Sequence, residues 1–309
     1  MEMRDGTPLR TGRQPRSGEH EMELVCWILA VAAIGCAFLP LLGALRFRRY
    51  VRGDSVRYEP GNTPPLSLIL PCKGLDPGFD DNIRSVLNQD YPDFEVIFAV
   101  ARREDPAYQR LRSLVQESDT SARVVVAGLE EGCSEKLSNQ RAALEHVRSE
   151  TKVLVFMDSD LEAGENFLRE LVRPLQNPRV GAATGFRWYV PEEGGLGAYL
   201  ASTWNGGGLP LLTHPKLAYA WGGAMAIRRA TFRKAGVRKR WESALSDDLS
   251  LTAAVRSMGL EIYFVPECRV PCYEHRTLAE TIEWTNRQRI ISRVYAPGMW
   301  RSNFLAHAV

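Results

Sequence analysis

Four short apolar runs alternate with amphipathic segments between residues 66 and 157, and no other feature constrains the fold as strongly. LSLIL (core 67–70), FEVIFAV (94–100), RVVVAG (123–128) and KVLVFM (152–157) are brief and continuously apolar, as strands buried on both faces are. Between them, DDNIRSVLNQ, PAYQRLRSLVQE and KLSNQRAALEHVRS repeat their apolar residues about every 3.6 positions, the helical period. Strand, helix and strand in this rhythm predict an α/β fold. Its mostly parallel central sheet is joined by right-handed crossovers and covered by helices on both faces. Ligands of such sheets bind at the carboxyl ends of the strands. After residue 185 the pattern loosens. Residues 194–212 are Gly-rich, apolar and uncharged, fitting either a core loop or a surface that touches lipid. A helical stretch at 242–259, a strand at 261–266 and a last helix at 278–293 follow AYAWGGAMAIRR (218–229).

Leu24 to Leu45 contains no charged residue, and a helix of that length spans roughly 30 Å, the thickness of a bilayer core. Arg46, Arg48, Arg49 and Arg52 follow it where a cleaved signal peptide would carry a small-residue site, which predicts a single membrane span with its basic flank in the cytoplasm. The chain then divides into a tail (1–23), a transmembrane helix (24–45), a basic linker (46–63), one large domain (64–295) and a short end (296–309). That end is too short to span. The expected location is a membrane, such as a bacterial inner membrane, with the domain on the cytoplasmic side. A formal net charge of +2 is near neutral, so nothing global argues for nucleic acid and no nucleic-acid partner is expected. Six cysteines without zinc-finger spacing read as packing residues.

The chemistry concentrates at strand ends and helix starts. VLVFMDSD (153–160) closes an apolar strand with Asp158 and Asp160, an acid pair able to hold Mg²⁺ or Mn²⁺ against a diphosphate. The plainer alternative is a helix cap. SDDL (246–249) opens a helix with Asp247 and Asp248, read either as N-terminal helix charge or as a general base. LPCKG ends the first strand with Lys73, and EKLSNQ sets Lys136 and Asn139 at a helix N-terminus, where phosphate or a base edge can be held. Gly222 and Gly223 mark a close backbone approach. EWTNRQRIISR gathers Trp284, Arg287, Arg289 and Arg293 on one helix, a solvated basic face or a source of charge for a departing diphosphate.

Taken in order, LPCKGLDP, NQDYPDFEV, EDPAY, EKLSNQ, MDSD, GGAMAIRR, SDDL and the late Arg-rich helix resemble an inverting, family-2-type glycosyltransferase of GT-A fold. The resemblance is to the ceramide glucosyltransferase subfamily in particular, and it covers residues 24 to about 297. It implies a UDP-sugar donor, a divalent metal (Mg²⁺ or Mn²⁺) and a lipid acceptor at the membrane. By position, Lys73, Lys136, Asn139 and Asp158 would line the nucleotide pocket. Asp160, with Asp158, would meet the metal. Asp248, or else Asp247, would deprotonate the acceptor, and Arg287 would face the leaving diphosphate. Gly222, Gly223, Trp284 and Gln288 fall on the acceptor side. Two positions depart from the family pattern: Arg102 stands where an acid is usual, with Glu104 or Asp105 as substitutes, and Gln288 stands where a tryptophan is usual. A polysaccharide synthase, a transferase for a soluble acceptor and an inactive nucleotide-sugar binder remain the alternative readings.

Overall fold

In the computed structural model, which describes residues 17–54, 63–192, 195–298 and 300–301, the four apolar runs lie side by side in one sheet. After helix α1 (Ser17–Arg49), the chain alternates β1 (Leu66–Pro71), α2 (Phe79–Leu87), β2 (Phe94–Val100), α3 (Pro106–Gln116), β3 (Ala122–Val126), α4 (Glu135–Leu144) and β4 (Val153–Met157). There follow α5 (Phe167–Val172), β5 (Val180–Pro191), α6 (Leu196–Gly207), α7 (Leu209–Leu212), β6 (Ala224–Arg228), α8 (Arg229–Lys234), α9 (Val237–Trp241), α10 (Asp247–Ser257), β7 (Glu261–Glu274) and α11 (Leu278–Tyr295). The strand order is β3-β2-β1-β4-β6-β5-β7. Only β6 runs against its neighbours β4 and β5; the remaining pairings are parallel, as the βαβ rhythm predicts.

Residue alternation sorts the strands onto two cores. Leu66, Leu68, Leu70, Val96, Phe98, Val153 and Val155 face one side with Ile83, Leu111 and Leu171 of the covering helices. Ile69, Ile97, Leu154 and Phe156 face the other with Leu137, Trp241 and Leu251. Each such side chain contributes about 1.5–3 kcal/mol by leaving water. Ends of elements follow local chemistry. Ser134 caps α4 by accepting from Leu137 N, Asp105 caps α3 ahead of Pro106, and Ser246 caps α10 by accepting from Leu249 N. That last cap starts α10 at Asp247, five residues inside the helical stretch read at 242–259. The strand read at 261–266 continues to Glu274. Within the 194–212 stretch, Leu196–Gly207 and Leu209–Leu212 are helical, as α6 and α7, where a core loop is one of the two readings of the sequence.

Helix α1 contains the whole 24–45 stretch, with Trp27, Ile28, Val31, Ile34, Phe38 and Leu42 exposed. Among the described residues no helix is long and apolar enough to cross a membrane. Its carboxyl end is docked on the domain. Arg46 Nη2 donates to Thr213 O at 2.9 Å, Tyr50 OH donates to Phe264 O at 2.6 Å, and the Phe47 and Phe264 rings stack 6.3 Å apart. Residues 46–54 of the expected linker therefore include a docked segment. Residues 55–62, the tail up to residue 16 and the end from 302 lie outside the described residues.

Candidate active site

The carboxyl ends of β1 and β4 and the amino ends of α4 and α10 meet at one rim of the sheet. Asp158 follows β4 directly, and its N–H donates to Gly223 O at 3.0 Å, extending the β4–β6 pairing by one residue. Lys136, in the first turn of α4, reaches three acceptors. Its Nζ lies 2.7 Å from Asp158 Oδ1, 3.0 Å from Asp247 Oδ2 and 3.0 Å from Gly222 O. Three N–H donors thus meet three acceptors. Burial alone would lower the Lys136 ammonium, but Asp158 and Asp247 outweigh it and hold its pKa above the ordinary value.

The two acids of SDDL differ in surroundings. Asp247 is buried beneath Lys136 and also accepts from Gln140 Nε2 at 3.0 Å. Asp248 is half-buried; its Oδ2 accepts from Gly222 N at 3.2 Å and its Oδ1 from Leu249 N at 2.6 Å and from the Ser246 hydroxyl. Burial, and then the neighbouring charge of Asp247, push the Asp248 carboxyl up. Gly222 lies between these groups. A Cβ there would sit 2.7 Å from Asp247 Oδ1 and 3.1 Å from Lys136 Nζ, so the close backbone approach requires glycine.

The rim encloses a cleft of about 220 Å³ that gathers Lys73, Lys136, Asn139, Asp158 and Asp160. Lys73 stands at its mouth, 2.9 Å from Glu135. Asn139 is 2% exposed, and its Oδ1 has no hydrogen-bond partner among the described residues, a buried acceptor that a bound donor group would satisfy. Burial pushes the Asp158 carboxyl up against the opposing pull of Lys136 and Arg187. Asp160 is gripped by Arg187 of β5, whose Nη1 and Nη2 lie 2.7 and 2.6 Å from its two oxygens. Hard oxygen donors from Asp158 and Asp160 fit a divalent cation of the Mg²⁺ or Mn²⁺ type, which accepts one or two carboxylates and takes its remaining ligands from water and substrate phosphate. Among the described residues no cluster of three or more His, Cys, Asp or Glu forms a complete protein cage.

Other expected residues lie apart from that cleft. Glu104 is exposed, and Asp105 is committed to structure, accepting from Gly74 N and Ala107 N at 2.9 Å each. Gly74 has φ +67, so Asp105 fixes the left-handed turn that aims the β1 loop. Trp284 on α11 lies edge-on to Tyr189 of β5 with ring centroids 5.6 Å apart, while Arg287 is exposed and Gln288 half-buried. Tyr189 follows Arg187 by two residues on the same strand, so both project from one face of β5 and connect the acid pair to α11. Three site residues escape sequence reading: Asp76, whose carboxyl is pushed up by burial and by Asp160, and Arg187 with its stacking partner Trp221. Asp76 sits within the quoted LPCKGLDP; nothing local distinguishes Arg187.

A charged cleft at the carboxyl ends of a mostly parallel seven-stranded sheet with one reversed internal strand is consistent with the GT-A class of α/β fold. The solved mannosyltransferase PcManGT from Pyrobaculum calidifontis, a complex with GDP-Man and Mn²⁺, has this fold: the TM-score is 0.59 at 19% identity, covering 84% of this chain and 71% of that one. The chain belongs to glycosyl transferase family 21, whose sequence model matches residues 25–309. A ceramide glucosyltransferase of Gibberella zeae is 27% identical over 133 residues, which cover 40% of this chain and 25% of that protein. Ceramide glucosyltransferase 1 of Caenorhabditis elegans is 28% identical over 123 residues, covering 38% and 26% respectively. The matched stretch thus spans about a quarter of the length of either relative. The resemblance to ceramide glucosyltransferases holds.

Proposed function

We propose that this protein is an inverting glycosyltransferase that moves a sugar from a UDP-sugar to a lipid alcohol at a membrane surface. One observation carries the reading: Asp158 and Asp248, about ninety residues apart in sequence, meet at one rim through Lys136 and Gly222, and Arg187 ties Asp160 to Asp158 there. Asn139 and Lys73 would receive the nucleotide, and Lys136 would keep Asp158 ionised and in place. A divalent cation on Asp158 and Asp160, when bound, would neutralise charge on the diphosphate; the Mn²⁺ and GDP-Man of the Pyrobaculum enzyme support this assignment. Asp248 is the base, because Asp247 is buried under Lys136 and Gln140 while Asp248 is open to the rim. Its carboxylate takes the proton of the acceptor hydroxyl as that oxygen attacks the anomeric carbon in line with the leaving UDP, inverting the centre in one displacement.

The acceptor assignment rests on α1 and on the family's ceramide-directed relatives. The apolar stretch at 24–45 would fix the domain to the bilayer, with the basic Arg46–Arg49 end and the domain on the cytoplasmic side. A site tethered through Arg46 and Tyr50 meets acceptors confined to the same plane. The test is incubation of full-length protein with labelled nucleotide sugars and a total lipid extract, followed by identification of the labelled product and its anomeric configuration. A labelled glycolipid of inverted configuration supports the reading. A retained configuration, or label only on soluble acceptors, refutes it.

A further inference from the structure

Arg187 lies against both acids, Asp158 and Asp160. Its Nη1 donates to Asp160 Oδ2 at 2.7 Å and its Nη2 to Asp160 Oδ1 at 2.6 Å, and Nη2 also stands 3.5 Å from Asp158 Oδ2. Lys136 holds the fourth oxygen, Asp158 Oδ1, at 2.7 Å. Every oxygen of the pair therefore faces a cationic nitrogen, and three of the four face the same guanidinium. The side chain is only 14% exposed, and its guanidinium also stacks over the Trp221 ring at 5.6 Å. A planar fork on a carboxylate is among the stronger charge-assisted pairings, so this contact sets the resting state of the site.

A divalent ion on Asp160 needs at least one oxygen that Arg187 occupies, and a +2 ion beside a fixed guanidinium on one carboxylate is repelled. Resting on the reading of Asp158 and Asp160 as the cation-holding acids, we propose that Arg187 is a built-in counter-cation that closes the metal position until donor arrives. Metal alone then meets a competitor, whereas metal with a nucleoside diphosphate brings negative charge that offers the released guanidinium a new partner. Trp221, which does not depend on Asp160, keeps that guanidinium at the rim. Metal and nucleotide affinities are thereby coupled, and the coupling resides in Arg187.

The test is Mn²⁺ titration of the full chain, followed by the electron paramagnetic resonance of free Mn²⁺, with and without UDP. Arg187→Gln should bind Mn²⁺ without nucleotide about tenfold more tightly, since apparent affinity scales with the fraction of molecules whose site is open. The enhancement by UDP should shrink by the same factor. Arg187→Lys, which keeps charge but cannot fork two oxygens, should fall between the two and serves if the Gln variant does not fold. Wild-type protein that binds Mn²⁺ while either variant binds it equally or more weakly would overturn the role of Arg187 alone. Asp160→Asn with undiminished Mn²⁺ binding, or no binding by any form even with UDP, would overturn the carboxylate reading and this proposal with it.

Discussion

The two halves of the sheet are held together differently. From β1 to β4 the strands are five to seven residues long and pair in continuous parallel register; β1, β2 and β4 are buried on both faces, while β3 is the half-exposed edge. Stability there comes from many interchangeable apolar contacts. Beyond β4, strands β5 and β7 lengthen to 12 and 14 residues, their mutual pairing shifts register near Thr184, and the five-residue β6 runs backwards between β4 and β5. Aromatic rings and guanidinium groups take over as the contacts: Arg276 lies 5.0 Å from the Tyr189 ring and 5.1 Å from Trp284, and Arg289 lies 5.4 Å from Trp204. The first half is a platform that tolerates sequence change if volume is kept. The second sets residues in particular places, and the acceptor side of the proposed reaction falls there.

If that division is right, function and stability should separate on substitution. The largest expected effect is that of Asp248→Asn, which should lower transfer by about 10²- to 10⁴-fold while UDP binding persists. An equal loss of UDP binding would show that donor and acceptor functions do not divide between the halves. The same residue sets a pH dependence. Asp248 must be ionised to accept a proton, and burial raises its pKa. The wild-type rate should therefore rise with pH through a limb placed above the ordinary carboxylate value of about 3.9. A rate already flat through that region would exclude Asp248 as the base. Next, Phe156→Ala in the platform should cost about 3–5 kcal/mol in urea unfolding, because the ring is fully buried between Phe232 and Trp241. A loss under 1 kcal/mol would mean that the platform is looser than its burial implies.

The same division governs how much was legible in the sequence. Parallel strands covered on both faces must be continuously apolar, so β1, β2 and β4 announce themselves, and the acids that end β4 inherit a position. Strand β5 does not. Gly181 and Gly185 lie inside it, and a Cβ at Gly181 would meet Val255 Cγ1 at 2.3 Å and one at Gly185 would meet Cys268 O at 2.4 Å. These glycines are close-packing positions inside a strand, which composition cannot distinguish from turns. Missing β5 meant missing Arg187, since a lone arginine acquires meaning only when Asp160 is opposite. The acids of SDDL show another limit. Their type and helix position were readable, but which one Lys136 buries depends on a contact made 111 residues away in the chain, between positions 136 and 247. Asp105 is the reverse case. Asp before Pro is a helix-cap signature, and the cap on Ala107 N is the local part of its role; the bond from Gly74 N, 31 residues away, is not readable from the signature.

Two smaller predictions sharpen the contrast. Gly222→Ala should destabilise the fold by about 1–3 kcal/mol through overpacking against Asp247 and Lys136. It should also weaken transfer, because the same backbone carries the N–H that Asp248 accepts. Trp284→Ala should cost only about 1 kcal/mol of stability, since it removes an edge contact with Tyr189 and one of two rings facing Arg276. Its effect on the reaction should nonetheless be selective. Trp284 sits one helical turn before Gln288 on α11, so both lie on one face of that helix, and Tyr189 connects that face to the strand bearing Arg187. Steady-state kinetics with a lipid acceptor should show a raised acceptor KM with UDP-sugar KM unchanged. If the donor KM moves instead, α11 shapes the nucleotide side, and the assignment of the second half to the acceptor fails.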